Sequence, residues 1–360
     1  MGNAKKNKVN IGIFDPYLNI LGGGERFILT IAQGFASYAN VDIFWNSENI
    51  RGRIKERFGM NLDNVHFRSF PNNFLKRTSF LRNYAHFFYV TDGSLFLSCA
   101  QKSYVIIQSP SHVPCNDSWS DKLKLSTWSK LLCYSKFMAS IIEKKLGKSP
   151  IILAPPVDIE NFKASRKENI ILSTGRFFTH LHSKKQGELI QAFKELYDRK
   201  KLDNWHLVLV GSATNDEDVR HFTESLRKQA QGYPIDILTN VSFKQLQEVY
   251  GKAKIFWLAT GLNENLLLHP EKAEHFGMVT VEAMAAKCVP IVYKAGGQEE
   301  IVDHGVNGYL FNSIHELETY TYQLVTDETE RKQLSEQAHD ASKRFSKSNF
   351  FERLHAITEF

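Results

Sequence analysis

Cysteine is scarce in this chain: four in 360 residues, at positions 99, 115, 133 and 288. None of the spacings brings two of them into the short loops that hold zinc, and so few thiols in so long a chain make no disulfide framework. A reducing, cytoplasmic compartment is the expectation. Long apolar runs are missing too. No uninterrupted run approaches the roughly 20 residues of a membrane-spanning helix, which predicts a chain that is soluble or lies on a membrane surface. Residues 1–8 are polar and basic and lead into a short apolar stretch at 9–14, without the apolar core of a secretory leader. Met1-Gly2 begins like a myristoylation site, but Lys6 stands where Ser or Thr is expected. Short-period repeats and low-complexity tracts are absent as well, which excludes solenoids and compositionally disordered arrays.

What is present is a long, moderately apolar chain. With 42% hydrophobic residues over 360 positions, it exceeds what one core usually organises, so two domains are expected. Charge is divided unevenly. Residues 1–163 carry 21 Lys and Arg against 12 Asp and Glu, a balance of +9; residues 164–360 carry 24 against 27, a balance of −3, and the net charge is +6. Within the basic half, residues 71–89 interleave Lys76, Arg77, Arg82 and His86 with Phe74, Phe80, Tyr84, Phe87, Phe88 and Tyr89. The mixture suits peripheral contact with a membrane surface or an acidic, lipid-carried acceptor. It equally suits a helix that packs its aromatics inward and leaves its cations in water. Nucleic acid is not an expected partner, because no base-reading motif accompanies the basic balance.

Strand-like and helix-like segments alternate along the chain, the pattern of an α/β architecture with parallel sheets. Strands are expected at 10–14, 41–45, 89–91, 103–108, 130–134 and 151–153, with Gly22-Gly23-Gly24 as a tight loop feeding a helix over 25–35. Pro155-Pro156 makes a stiff turn at the end of this series. A second series at 169–173, 205–210, 235–238, 254–259 and 289–293 has helices between its strands, and residues 349–360 read as a final helix. The expected domains are 1–155 and 156–344.

The most telling stretch is Glu274-His275-Phe276-Gly277-Met278-Val279-Thr280-Val281-Glu282. Two acids eight apart flank a glycine that opens a helix, and residues 288–293 follow as a buried strand. Backbone N–H groups around Gly277, Met278 and Val279 then face outward at a helix mouth, where an anion is stabilised. Glu282, deeper in the helix, opposes phosphate and suits neutral hydroxyls such as a ribose diol. On their own, two acids at this spacing make a solvated helix face. The block around them says more: Leu258-Ala259-Thr260-Gly261, Glu282-Ala283-Met284-Ala285-Ala286, Val289-Pro290-Ile291-Val292 and Ala295-Gly296-Gly297-Gln298-Glu299-Glu300-Ile301-Val302. In order and spacing, the whole resembles the glutamate-x7-glutamate signature of retaining glycosyltransferases of the GT-B fold, glycosyltransferase family four.

The resemblance implies two Rossmann-like parallel-sheet domains facing a cleft. In it, 156–344 binds a nucleotide-diphosphate sugar, 1–155 lies on the acceptor side, and 345–360 is a helix packing back on the first domain. It also implies Glu274 on the hydroxyls of the transferred sugar, Glu282 on the ribose, and backbone from Phe276 through Gly277 and Met278 to Val279 on sugar and phosphates. Arg176 and Lys184 would then stabilise the leaving diphosphate, a task for fixed cations and oriented N–H groups. Counted back from Phe193, Lys184 takes the family's lysine position and Lys185 its glycine; Lys185 substitutes if the loop is shifted by one. The triplet Gly22, Gly23 and Gly24 does not fit the dinucleotide-binding spacing, since Glu25-Arg26-Phe27 follows; by resemblance it faces the donor phosphates and the acceptor. Gly296-Gly297 offers further N–H groups, and Val241 is placed near the base.

One departure concerns the family's first-domain histidine. Gln108 stands in its slot before Ser109-Pro110, with His112 four residues on. Either Gln108 takes the hydrogen-bonding role or His112 supplies it from the loop. His180 and His182 form an H-x-H pair with no third ligand at suitable spacing and read as solvated loop residues. Asp216-Glu217-Asp218 looks like the acid-x-acid metal motif of the other large glycosyltransferase fold, but it opens a charged helix and reads as helix-start acids. No metal and no cofactor is expected, the donor substrate being a UDP- or GDP-sugar. The expected reaction transfers a mannose- or glucose-type hexose to a hydroxyl of a glycan or lipid-linked acceptor with the anomeric configuration kept, the leaving phosphate helping to deprotonate the acceptor. Two other readings share the fold: a nucleotide-sugar epimerase, which needs no acceptor, and a non-catalytic sugar-binding relative.

Overall fold

The structure is a computed structural model that describes residues 8–178 and 183–360. His180 and His182, like Met1, Gly2 and Lys6, lie outside the described residues. The chain divides into two units, Met1–Pro156 with Ser348–Phe360, and Val157–Lys347.

The first unit runs β1 (Asn10–Phe14), α1 (Gly23–Phe35), β2 (Asn40–Phe44), α2 (Ile50–Phe58), β3 (Val65–Arg68), α3 (Phe74–Leu81), β4 (His86–Val90), β5 (Lys102–Ile107), α4 (Trp119–Ser126), β6 (Lys130–Cys133), α5 (Lys136–Leu146) and β7 (Ile151–Ile152). Its seven strands lie in the order β3-β2-β1-β4-β5-β6-β7, every pair parallel. Parallel neighbours require crossover helices, which cover both faces and turn the central strands into unbroken apolar runs. Thus β4 is buried at every position. The edge strand β3 instead alternates, with Val65 and Phe67 inward and His66 and Arg68 outward. Gly12 lets β1 lie close under its neighbours, since a Cβ there would stand 3.0 Å from the rings of both Phe44 and Phe87.

The second unit comprises β8 (Ile170–Thr174), α6 (Gln186–Asp198), β9 (His206–Gly211), α7 (Glu217–Ala230), β10 (Ile235–Thr239), α8 (Phe243–Lys252), β11 (Ile255–Leu258), α9 (Met278–Ala285), β12 (Val289–Tyr293), α10 (Gln298–Ile301), β13 (Tyr309–Phe311), α11 (Ile314–Thr326) and α12 (Glu328–Ser342). Its sheet is again parallel, in the order β10-β9-β8-β11-β12-β13. Phe193 and Leu196 from α6, Trp257 from β11 and Leu317 from α11 are fully buried in its core. Lys167 ties two helix ends together, donating to the carbonyls of Ala253 and Ala286, both at 2.6 Å. These are the C-caps of α8 and α9, where a cation meets the negative end of each helix. Burial lowers the Lys167 pKa.

The final helix, α13 (Lys347–Thr358), belongs to the first unit from Ser348 onward. Phe350 packs edge-on to Phe27 with centroids 5.4 Å apart, and Gly34 leaves α1 no side chain where Phe351 lies against it. In both sheets the winding reverses beside the first strand, between β1 and β4 and between β8 and β11. Open α/β sheets bind ligands outside the carboxyl ends of their strands at such a reversal. Among the described residues, no helix is long and apolar enough to cross a membrane.

Candidate functional site

In the second unit the winding reversal is built from glycine and close backbone contact. β8 ends at Thr174, and Gly175 follows beneath Lys184, whose Cγ would lie 2.5 Å from any Cβ placed there. Gly211, at the end of β9, has no room for a side chain against the Gly175 carbonyl oxygen. The aliphatic stem of Lys184 is thereby laid across bare backbone and its ammonium is aimed at Glu274. Lys184 Nζ meets Glu274 Oε2 at 2.5 Å, with both side chains largely out of water. Arg176, also just past β8, is exposed, with its guanidinium carbon 5.5 Å from the Phe178 ring centre. No carboxylate pairs with it among the described residues. Lys185 occupies a left-handed conformation, φ 56°, as the N-cap of α6, and its ammonium is 2.7 Å from Glu264.

The glutamate loop is held from behind. Gly277 caps α9 at φ 115°, a left-handed setting that favours glycine, and the Gln298 amide lies directly against it. Gly296, at φ 63°, faces the Glu274 carbonyl oxygen without room for a Cβ. A Cβ at Gly297 would stand 2.5 Å from Phe276 Cα. The Gly297 N–H donates to Glu274 O at 2.8 Å. This corrects one expectation, because the Gly297 N–H braces the loop and is not open to a phosphate. Phe276 turns its ring edge-on to Phe345, centroids 5.3 Å apart, so only its backbone remains for a ligand. The N–H groups of Met278 and Val279 stand in the first turn of α9, where no intrahelical acceptor precedes them.

Glu282 sits inside α9, 7% exposed. The Tyr250 hydroxyl, at the end of α8, reaches Glu282 Oε2 at 3.2 Å and Thr174 Oγ1 at 2.7 Å. Thr174 donating to Tyr250, and Tyr250 to the carboxylate, uses each proton once and links β8, α8 and α9. Burial, then the nearby Glu282 charge, pushes the Tyr250 pKa well up. Tyr250 was not singled out from the sequence, where it is one more aromatic on an amphipathic helix. Glu264 is likewise new. It lies between Lys185 and Lys272, each at 2.7 Å, and their hydrogen bonds hold its carboxyl below the usual range. Val241 follows β10, next to Asn240, whose side chain bonds both the N–H and the carbonyl of Ala213. Asp216 caps α7, and Glu217 and Asp218 fill its first turn, all three exposed.

The first unit repeats the design with different chemistry. The glycine triplet is not a free loop: Gly22 is the N-cap of α1, and Gly23 and Gly24 form its first turn. The Glu25 carboxylate accepts the Gly22 N–H at 2.5 Å, which draws the helix start back over the glycines. Gln108 Nε2 donates to the Gly24 carbonyl at 3.3 Å, and its side chain fills the space a Gly24 Cβ would take. His112 lies elsewhere on this rim, its ring stacked on Tyr17 at 5.3 Å. Burial lowers its pKa, against the opposing charge of Asp92. Asp15, directly after β1, is 1% exposed. Its Oδ1 accepts the Tyr17 N–H at 2.8 Å, while Oδ2 has no hydrogen-bond partner among the described residues. Burial, reinforced by the Glu25 charge, raises the Asp15 pKa to about 7.

The family model for glycosyl transferases group 1 matches residues 157–341, which is more than half of the chain. The GDP-Man:Man(3)GlcNAc(2)-PP-Dol alpha-1,2-mannosyltransferase of Dictyostelium discoideum is 24% identical over 96% of this chain and 83% of its own length. The human enzyme of the same description is 26% identical over 66% of this chain, though the match spans only 46% of the human protein. Among solved structures, a glycosyltransferase from Rickettsia africae superposes with a TM-score of 0.75 at 16% identity, covering 98% of both chains. Anabaena HepE in complex with UDP-glucose gives 0.71 at 18% identity, covering 98% of this chain and 100% of that one. At such identities the structural likeness establishes the fold, two Rossmann-like parallel-sheet domains of the GT-B class. On the strength of the matched family model, this chain belongs to the glycosyl transferases group 1.

Proposed function

We propose that this chain transfers a hexose of the mannose or glucose type from a UDP- or GDP-sugar to a hydroxyl of a glycan or lipid-linked acceptor, with the anomeric configuration kept. The observation that carries the reading is the Lys184–Glu274 pair at the mouth of α9. Without donor, each charge compensates the other in a partly dry setting, where an unpaired charge is costly. An arriving diphosphate is the stronger partner for Lys184 and for the N–H groups of Met278 and Val279. Glu274 is then released to accept hydrogen bonds from the sugar hydroxyls, and Glu282, positioned by Tyr250, takes the ribose. Arg176, exposed and without a carboxylate partner among the described residues, adds the second cation for the leaving group as its charge develops.

This reading requires no divalent cation, since Arg176, Lys184 and the helix mouth supply the positive charge. In the first unit we assign Gly22, Gly23 and Gly24 to backbone contact with the donor phosphates and the acceptor, and either Gln108 or His112 to the polar role of the family's first-domain histidine. The mannosyltransferase relatives are named for a dolichol-diphosphate-linked acceptor, which supports an acceptor carried on lipid and a chain working at a membrane surface. Of the basic segment 71–89, Phe74, Leu75, Lys76 and Arg82 are exposed, as that setting requires.

The test is a thermal-shift panel of UDP-, GDP- and ADP-sugars with and without magnesium, since a ligand selective for the folded state raises the melting temperature. A shift with one base class, independent of magnesium and lost in Lys184→Ala and Glu274→Ala, is expected. Flat responses throughout, or free epimerised sugar released without acceptor, would reject it. Retention is read from the anomeric configuration of the product by NMR.

A further inference from the structure

Between β11 and Glu274 the chain makes an ordered loop, residues 259–273, that puts Leu267 96% and Leu268 72% into solvent. Single leucines on a surface are ordinary; here two adjacent ones share the tip of a fixed loop. The tip is fixed by its own backbone: the Leu268 and His269 N–H groups both donate to the Asn265 carbonyl, at 3.2 and 2.8 Å. The Asn265 side chain takes the Leu268 N–H as well, at 3.3 Å. At its base, Glu264 is clamped between Lys185 and Lys272, and His269 lies 3.2 Å from Glu271. Glu264 and Glu271 together with the clamping Lys185 and Lys272 sum to no net formal charge, so the leucine tip stands on a neutral base.

The anchoring points matter. Lys185 adjoins Lys184 and Lys272 lies two residues before Glu274, so the leucine tip is tied at both ends to the residues that form the central ion pair. A fixed tip of two leucines over a base without net formal charge is suited to hydrocarbon.

We propose that Leu267 and Leu268 insert into the hydrocarbon of a lipid surface and seat the Glu274 loop against the surface that carries the acceptor. The proposal rests on the lipid-linked acceptor of the preceding reading. It predicts a second, charge-independent mode of membrane contact beside the basic first unit, whose attraction to anionic lipid is screened by salt.

The experiment is co-sedimentation of the full chain with phosphatidylcholine vesicles, with and without phosphatidylserine, at low and high salt. Leu267→Ser with Leu268→Ser should reduce the partition constant by at least about tenfold, as expected for removing leucine side chains from hydrocarbon. The same factor should appear at high salt and in both lipid compositions. Replacing both by Phe should preserve binding. Melting temperature, the nucleotide-sugar thermal shift and transfer to a water-soluble acceptor should match the parent chain, while transfer to a vesicle-borne acceptor falls. Unchanged partition in the Ser variant overturns the proposal. So does a parent dimer that the Ser variant converts to monomer without vesicles, which would make the leucines a contact between copies. Absence of any nucleotide-sugar shift in the parent chain would reject the transferase reading alone, since vesicle binding is scored separately.

Discussion

At the residue scale, Asp15 and Tyr250 give the sharpest expectations. Asp15 releases its proton near pH 3.8 in the unfolded chain and near 7 in the fold. Between those values the folded state binds more protons, so stability falls as pH rises, and above about 7 the whole penalty is present. For a shift of this size the penalty is about 4 kcal/mol. The charges and dipoles facing Asp15 are Glu25 from α1 and the Tyr17 N–H from its own loop, with the buried Tyr134 hydroxyl beyond them. Asp15→Asn keeps an acceptor for Tyr17 and cannot ionise. Its melting temperature, followed from pH 5 to 8, should lose the parent's decline and exceed the parent value at pH 8. Tyr250→Phe removes the hydroxyl that meets Thr174, Glu282 and the Val279 carbonyl. Losing one hydrogen bond to a charged group costs about 1.5–3 kcal/mol of stability, read as a lower melting temperature, and with Glu282 no longer positioned donor KM should rise with kcat little changed, measured by steady-state transfer.

Elements decide where those residues point. The eight residues of α9 begin at a left-handed glycine, and the loop before them leans on Gly296 and Gly297. Gly296→Ala would add a Cβ into the Glu274 carbonyl oxygen and strain a φ of 63°; the backbone term alone is about 1–2 kcal/mol. Displacement of the loop should abolish the donor thermal shift while circular dichroism stays native. Two strands, β3 and β13, escaped the sequence reading, and the reason is local. β3 is a half-exposed edge strand, and β13 spans three residues, too few for a period to register. The start of α1 was misplaced because glycine is a poor helix former, and the Glu25 bond to the Gly22 N–H is invisible until the turn closes.

On the scale of the whole molecule, the chain builds one winding twice. The first unit then recruits the last helix: α13 buries Phe350, Leu354 and Ile357. Its end is fixed by Tyr38 and His355 at 2.5 Å and by Glu359, 2.7 Å from Lys102 and 3.4 Å from Lys130. Deleting residues 348–360 should uncover α1 and destabilise the first unit by at least about 4 kcal/mol, taking the three apolar side chains at their lower burial value. Calorimetry should show its transition lowered with that of the second unit unmoved.

Strand and helix periodicity was written in the linear order because it depends on residues within one or two turns of each other, the parallel class because strands and helices alternate along the chain, and the glutamate block because its segments keep their order and spacing between 258 and 302. Lys184 and Glu274 lie 90 positions apart, and Tyr250 reaches Glu282 across two helices. No local period encodes either contact. The bracing of the glutamate loop by Gly296 and Gly297, and the orphaned oxygen of Asp15, likewise arise only when separate strand ends are brought side by side. Sequence specified which elements form; the folding of two sheets around their winding reversals decided which of their side chains meet, since that depends on distances through space that chain order does not carry.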